Sequence, residues 1–432
     1  MKGNLLIGKK MFCDRILSNI VRFKEFFHQM LINFFWGSIV GLVCFLCNPL
    51  TINAQKLSSH SRISILTCGP GEVLYEAFGH SAVRITDPAQ GLDLVFNYGV
   101  FDFNQKNFYG NFAKGSMRYM LGLSTGEDFL NQYRNYNRSV REQVLNLDSL
   151  EKQSIVDYLS NNLKPENREY YYDYFDNNCS TKILELLDSA LNHNVVFTYS
   201  DIIGTASFRS LIYDYTTYQQ WGRFGIDLGL GSVIDRSVNG KQLNFLPDEL
   251  EKTISKAKIR RGMIEFPLVS ENKILFESPV YYGSESYFLL PAFLFSLILL
   301  ILAIFWGFSG GFPVGFMVVR SILLTVVGLL GIFLLSIWLF TNHKSAAWNY
   351  NILWANPIFF IVGSLIWIFE KRFRFFLSGF QYYLFAILFF WFIFPQQLNV
   401  NLIPLIGATL IALLPLRIKN KQIEGKQVGI NN

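Results

Sequence analysis

From Ser286 to Val319 the chain carries no charged side chain. Soluble domains average about one charged residue in four, so an uncharged run of this length belongs in lipid. Apolar segments lie near 287–306, 314–340, 352–369, 375–394 and 400–416. Each is close to the ~20 residues a helix needs to cross a bilayer. The expectation is an all-α membrane domain of five transmembrane helices over 286–417, with a cytoplasmic tail over 418–432. Overall the chain is 51% hydrophobic and 16% charged, and the charge deficit is concentrated in this region.

Charge placement orients the segments. The net charge of +6 would suit nucleic acid, but residues 55–285 carry 23 Lys and Arg against 28 Asp and Glu. The basic surplus instead flanks apolar runs: Lys371, Arg372 and Arg374 between the third and fourth, and the tail from Arg417. Both fall inside when the helices are threaded from outside, as the positive-inside rule requires. Arg320 is expected to snorkel from the inner end of the second helix. Binding to nucleic acid is excluded as a reading; a membrane is the implied partner.

At the other end, residues 1–30 carry six Lys and Arg and two acids ahead of the apolar run 31–47, and Ala54 offers a small residue before Gln55. This pattern predicts a signal peptide over 1–54, with an uncleaved anchor helix as the alternative. Either exports residues 55–285, which mix strand-like alternation, short apolar runs and turn signals, and form one extracytoplasmic domain.

Without residues 1–54, two cysteines remain, Cys68 and Cys179. In an oxidising compartment a pair suggests a disulfide. The surroundings of Cys179 suggest otherwise. In YYYDYFDNNCSTKILELLDSALN, Ile183, Leu184, Leu187 and Leu191 recur at helical spacing, and Asn177 and Asn178 are good N-caps. Cys179 then sits in the first helical turn, where free N–H groups and the helix dipole favour a thiolate. Those N–H groups could also hold an oxyanion.

A thiolate nucleophile needs a base. Past residue 54 the chain offers His60, His80, His193 and His343. His80 starts a strand-like stretch in FGHSAVRI, whereas His193 follows the helix and reads as a cap partner, so His80 is the expected base. A third group must orient the imidazole. Asn97 and Asp102, in DLVFNYGVFDF, are both candidates, and the sequence leaves the choice open. No cofactor is implied, and no Cys/His cluster has zinc spacing.

The histidine strand precedes the cysteine helix, the reverse of papain. That order resembles circularly permuted papain-like enzymes of the NlpC type. More specifically, GPGEVLYEAFGHSAVRI, FNYGVFDF, FYGNFAKGSMRYML, YYYDYFDNNCSTKI, WGRFGIDLGLGSVIDR, NFLPDEL and the outer-loop stretch NHKSAAWNYNILWANP resemble the Lnb-type lipoprotein N-acyltransferases of Bacteroidota. The resemblance implies an α+β papain-like extracytoplasmic domain followed by five transmembrane helices, at the bacterial inner membrane with the catalytic domain in the periplasm. It implies a thiol acyltransferase with Cys179 as nucleophile and His80 as base. The acyl donor would be a phospholipid and the acceptor a diacylglyceryl-lipoprotein. Arg84 and Arg118 could hold the donor's phosphate, with salt-bridge roles as the alternative; Asn178 and His343 complete the expected substrate contacts. The competing readings are a membrane-bound thiol hydrolase, acting on phospholipid or peptidoglycan, and a non-catalytic membrane protein with a Cys68–Cys179 disulfide.

Overall fold

The computed structural model describes residues 56–101, 106–199, 206–278 and 290–416. The expected signal or anchor over 1–54, the candidate Asp102 and the tail 418–432 lie outside the described residues.

Alternating β-branched and aliphatic residues build β1 (Arg62–Cys68), β2 (His80–Asp87), β3 (Leu92–Val100), β4 (Arg118–Thr125) and β5 (Val140–Leu145). With β6 (Glu169–Tyr171) and a later strand, β10 (Val269–Phe276), they form a seven-stranded sheet in the order β10-β5-β1-β2-β3-β4-β6. Every neighbouring pair in it is antiparallel. A second sheet joins β7 (Val195–Val196), β8 (Lys258–Arg261) and β9 (Ile264–Pro267). The intervening helices are α1 (Phe108–Ala113), α2 (Gly126–Asn135), α3 (Ser149–Asn162), α4 (Cys179–Ala190), α5 (Phe208–Tyr215), α6 (Gln220–Gly229) and α7 (Pro247–Lys256).

Strand alternation assigns the large sheet's faces. Ser81 meets Ser180 at 3.1 Å, so α4 lies on the side taken by the odd-numbered residues of β2. Ala82 packs with Leu66, Val95, Phe129 and Tyr133, which places α2 on the other side. Both faces are covered, and β1 is buried along all but its first residue. The stretch GIDLGLGSV, which lacks the strand–turn–helix setting of a nucleotide loop and so reads as a turn, is helical as far as Gly229.

The C-terminal region is helical: α8 (Pro291–Gly307), α9 (Pro313–Phe340), α10 (Asn351–Trp354), α11 (Ile358–Phe389) and α12 (Ile403–Ala412). Two stretches, Pro313–Phe340 and Asn351–Ile368, are long and apolar enough to cross a membrane alone; Pro291–Gly307, Arg374–Phe389 and Val400–Ala412 are shorter apolar helices. The break expected at 370–374 is itself helical within α11. Even so, the chain reverses inside α11. The Phe359 and Phe380 rings lie 5.1 Å apart, and Tyr383 Oη donates to the Leu353 carbonyl at 3.0 Å. A straight helix, rising 1.5 Å per residue, would hold Phe359 and Phe380 about 30 Å apart. α9 and α11 touch closely: a Cβ on Gly328 would come within 1.9 Å of Phe360 N, the small-residue contact common between membrane helices. Arg320 departs from expectation. It does not snorkel outward but is fully buried, donating to the Leu414 carbonyl at 3.0 Å beyond the end of α12, where a cation suits the carbonyl end of a helix.

The sheet domain docks on the loops between the membrane helices. Asn342 N donates to the Lys114 carbonyl at 2.8 Å. Gly231 N donates to Ser345 O at 2.8 Å, and Asn351 Nδ2 to Asp227 O at 2.9 Å. Asn399 Nδ2 donates to the Asp227 carboxylate at 2.7 Å. Asp227 in turn pairs with Arg209, which also binds Asp235, and Arg209 and Asp227 are fully buried.

Candidate active site

Cys179 is the first residue of α4, and the chain before it explains why the helix begins there. The Asn178 side chain accepts from Ser180 N at 2.9 Å and Thr181 N at 3.0 Å, while Thr181 Oγ1 accepts from Asn178 N at 2.8 Å. This reciprocal cap satisfies two of the orphan amides of the first turn. The Asn178 amide is itself anchored, donating to Tyr174 O at 2.9 Å and Phe245 O at 2.8 Å. Asn178 is therefore a buried cap that positions Cys179, with no donor left over for the substrate contact the sequence suggested.

His80 opens β2 and Asn97 lies on β3, at the sheet end beside which α4 begins. His80 Nε2 hydrogen-bonds the Asn97 amide oxygen. With Nε2 committed, Nδ1 is the ring nitrogen left for the Cys179 thiol, whose charge and that of His80 favour each other. His80 thus lies between Asn97 and Cys179, with Asn97, one of the two candidates the sequence left open, hydrogen-bonded to the imidazole.

Electrostatics favour an ion pair. Burial by itself would raise the Cys179 thiol. The His80 charge and hydrogen bond, the Ser81 backbone N–H and the Ser180 hydroxyl outweigh it and bring the pKa down from 9.0 to about 7. Burial likewise pushes His80 down, but the Cys179 charge and the hydrogen bonds to Cys179 and Asn97 leave it raised above 6.5. Cys68 differs. Burial pushes it up to about 12, against an opposing hydrogen bond from Tyr133. Both cysteines are free thiols, which overturns the Cys68–Cys179 disulfide: Cys68 packs into the core under α2, while Cys179 faces His80.

The backbone of β3 gives way beside the thiol. Gly99 has φ +91°, and a Cβ there would lie 3.8 Å from Cys179 Cβ and 3.6 Å from the Tyr172 ring. Tyr172 stacks on Tyr119 at 4.2 Å, and Tyr119 meets Phe101 at 5.5 Å. An aromatic wall thus runs from Cys179 towards α1.

The other expected contacts have partners of their own. Arg84 binds Asp93 through two bonds, at 2.8 and 2.7 Å, and Glu142 at 3.3 Å. It lies four residues, about 13 Å, along β2 from His80. Arg118 pairs with Glu169 at 3.3 Å and covers the Tyr171 ring. His343 Nε2 bonds the Phe112 carbonyl at 3.1 Å, so it holds α1 against the membrane loop. His193, the cap partner, meets Asp188 at 2.9 Å.

Sequence reasoning missed three contributors. The Ser81 N–H reaches the thiol because the strand pairing puts it there. The Arg138–Glu76 ion pair, at 3.2 Å, braces the loop between β1 and β2, and Arg138 Nε donates to Gly69 O at 3.0 Å. Gly99 carried a signal, a glycine inside a strand pattern, which marks close approach of backbone.

Comparison with known proteins matches residues 51–214 to the Lnb N-terminal periplasmic domain and residues 283–422 to the Lnb transmembrane domain. No curated protein and no solved structure matches. The two matches lie in the order of the sheet domain and the helical region, and the first contains His80, Asn97 and Cys179. The chain belongs to the Lnb family and is a membrane protein with a periplasmic N-terminal domain.

Proposed function

We propose that this protein is a lipoprotein N-acyltransferase of the inner membrane that works through a thioester on Cys179. The observation that carries the proposal is the Cys179–His80–Asn97 relay at the start of a capped helix, in a domain hydrogen-bonded to the outer loops of a membrane region. A histidine strand ahead of the cysteine helix, in an antiparallel sheet, supports a permuted papain-like fold, and the reversal within α11 supports five membrane segments.

In the first step the thiolate attacks the ester carbonyl of a phospholipid. The S–C bond forms, the ester C–O bond breaks, and the lysophospholipid oxygen leaves with the proton of His80. In the second, the α-amine of a diacylglyceryl-cysteine attacks the thioester. The N–C bond forms, S–C breaks, and His80 takes the amine proton, restoring the ion pair. Asn178 occupies the Ser180 and Thr181 amides, so the Cys179 N–H is the first-turn donor for the oxyanion. Both substrates are held in a membrane, which accounts for a catalytic domain fixed to several helices rather than one tether.

The test is Cys179→Ala and Cys179→Ser in a cell lacking other N-acyltransferases, with lipoprotein N-termini read by mass spectrometry. Loss of the N-acyl group supports the proposal. Unchanged triacylated product overturns it, and release of free fatty acid with no N-acylated product assigns the site to a hydrolase.

A further inference from the structure

Cys179 is almost fully buried, so an acyl ester has to leave the bilayer to meet it. The structure has two features suited to that passage, one on each flank of the sheet end that carries the thiol.

The first is the turn Val73–Leu74–Tyr75 between β1 and β2, ahead of His80. All three side chains are exposed, Tyr75 by 76%. The turn is fastened to α6: Gln219 Nε2 donates to Glu72 O at 2.8 Å, and a Cβ on Gly222 would come within 2.8 Å of Leu74. α6 in turn lies on the first membrane helix. Phe224 meets Phe295 at 5.2 Å and Trp221 meets it at 6.2 Å, and Phe295 is one turn into α8. Trp221, itself exposed, is the residue type that marks the lipid–water boundary. The turn therefore continues an apolar surface that already belongs to the membrane region.

The second is α1. Tyr109 is 84% exposed and Phe112 is exposed beside it. This helix is fixed to the loop just past Phe340, the end of α9, by the bonds from Asn342 and His343.

We propose that Val73–Tyr75 and Tyr109–Phe112 are two lips that dip into the periplasmic leaflet on either side of the Cys179 site, their partner being the acyl chains of phospholipid. Solvated aromatic and aliphatic side chains at the level of membrane helix ends gain by entering lipid. The catalytic consequence rests on the acyl-transfer reading; contact with lipid does not.

Two measurements separate these. The full chain carrying Cys179→Ala receives Tyr75→Cys, Tyr109→Cys or, as control, Leu150→Cys. Leu150 is 81% exposed at the start of α3, near the strand ends opposite Cys179. Each is labelled with an environment-sensitive fluorophore in phosphatidylethanolamine–phosphatidylglycerol vesicles containing nitroxide lipid, with the Cys179→Ala parent as background. Blue-shifted emission and quenching at 75 and 109, and neither at 150, are expected. Signals at 75 and 109 equal to that at 150 overturn the proposal. Next, with Cys179 intact, Tyr75→Glu/Tyr109→Glu is compared with the unsubstituted protein for acyl-enzyme formation from vesicle phospholipid and from a water-soluble short-chain thioester. The vesicle-to-soluble rate ratio should fall about tenfold or more, the loss expected when apolar side chains are withdrawn from lipid. An unchanged ratio overturns the lips as a lipid path. Absence of acyl-enzyme from both donors in the unsubstituted protein overturns the acyl-transfer reading, while the quenching result stands by itself.

Discussion

The amide oxygen of Asn97 takes the Nε2 proton of His80 across two neighbouring strands, which leaves Nδ1 as the ring nitrogen available to Cys179. Asn97→Ala removes that orientation and leaves all three elements intact. Acyl transfer should fall about 100-fold, the scale of a small misplacement of a reacting group. Single-turnover acylation of Cys179 is the measurement; a loss of less than threefold would remove Asn97 from the relay.

The Cys179 thiol, at about 7, and the Cys68 thiol, at about 12, should separate by reactivity. Thiolate is the reactive form, so alkylation of Cys179 rises as pH increases through about 7, while Cys68 stays protonated. Peptide-level labelling of the folded protein at pH 8 should modify Cys179 and spare Cys68. In His80→Ala the largest lowering influence is gone, and only the Ser81 N–H and the Ser180 hydroxyl still oppose burial. The Cys179 labelling midpoint then moves upward from about 7. A midpoint that stays near 7 would detach His80 from the thiol.

Local signals made much of this legible. Apolar length gave the helical region, and the asparagines ahead of a periodic helix put Cys179 at its first turn. What depends on register did not show. Asn97 and Asp102 are equivalent until strand pairing sets Asn97 beside His80. The second half of α6 was hidden because GIDLGLGSV reads as a turn; packing of Phe224 on Phe295 overrides that propensity. The reversal in α11 is so tight that it leaves no loop between its two arms, so the loop the basic residues at 370–374 suggested is absent although the chain does turn there. Asn349, Asn351 and Asn399 look like loop residues, yet all three are buried, bonded across to residues 227–229.

Arg209, Asp227 and Asp235 carry the docking of the two regions. Asp227→Ala leaves Arg209 with one carboxylate and removes the acceptor for Asn399. Breaking a buried pair from one side costs about 3–5 kcal/mol. The midpoint of thermal unfolding in detergent should fall, and limited proteolysis should newly cut near residue 397. Replacing the exposed pair Arg118–Glu169 should change either by far less, since exposed pairs contribute about 0–1 kcal/mol. Equal effects at both sites would contradict a docking role for Asp227.

Gly115 tests whether the sheet domain must be held at its observed seat on the membrane loop. Its φ is +65°, and a Cβ would come within 2.9 Å of His343 N and 3.0 Å of Asn342 C. Gly115→Ala therefore meets strain twice, from the left-handed backbone and from a backbone neighbour that cannot swing aside. The backbone part costs about 1–2 kcal/mol; the contact part is relieved by moving the 342–344 loop away. Movement there loosens α1, whose Phe112 carbonyl His343 holds, without touching Cys179, His80 or Asn97. Labelling of Cys179 should keep its midpoint near pH 7, while acylation from vesicle phospholipid falls. His343→Ala removes the Phe112 bond but adds no clash, so it should produce the same loss in milder form. If Gly115→Ala instead shifts the thiol midpoint, the loop acts through the relay itself. If it leaves vesicle acylation intact, the seat of α1 on the membrane loop has no part in lipid delivery.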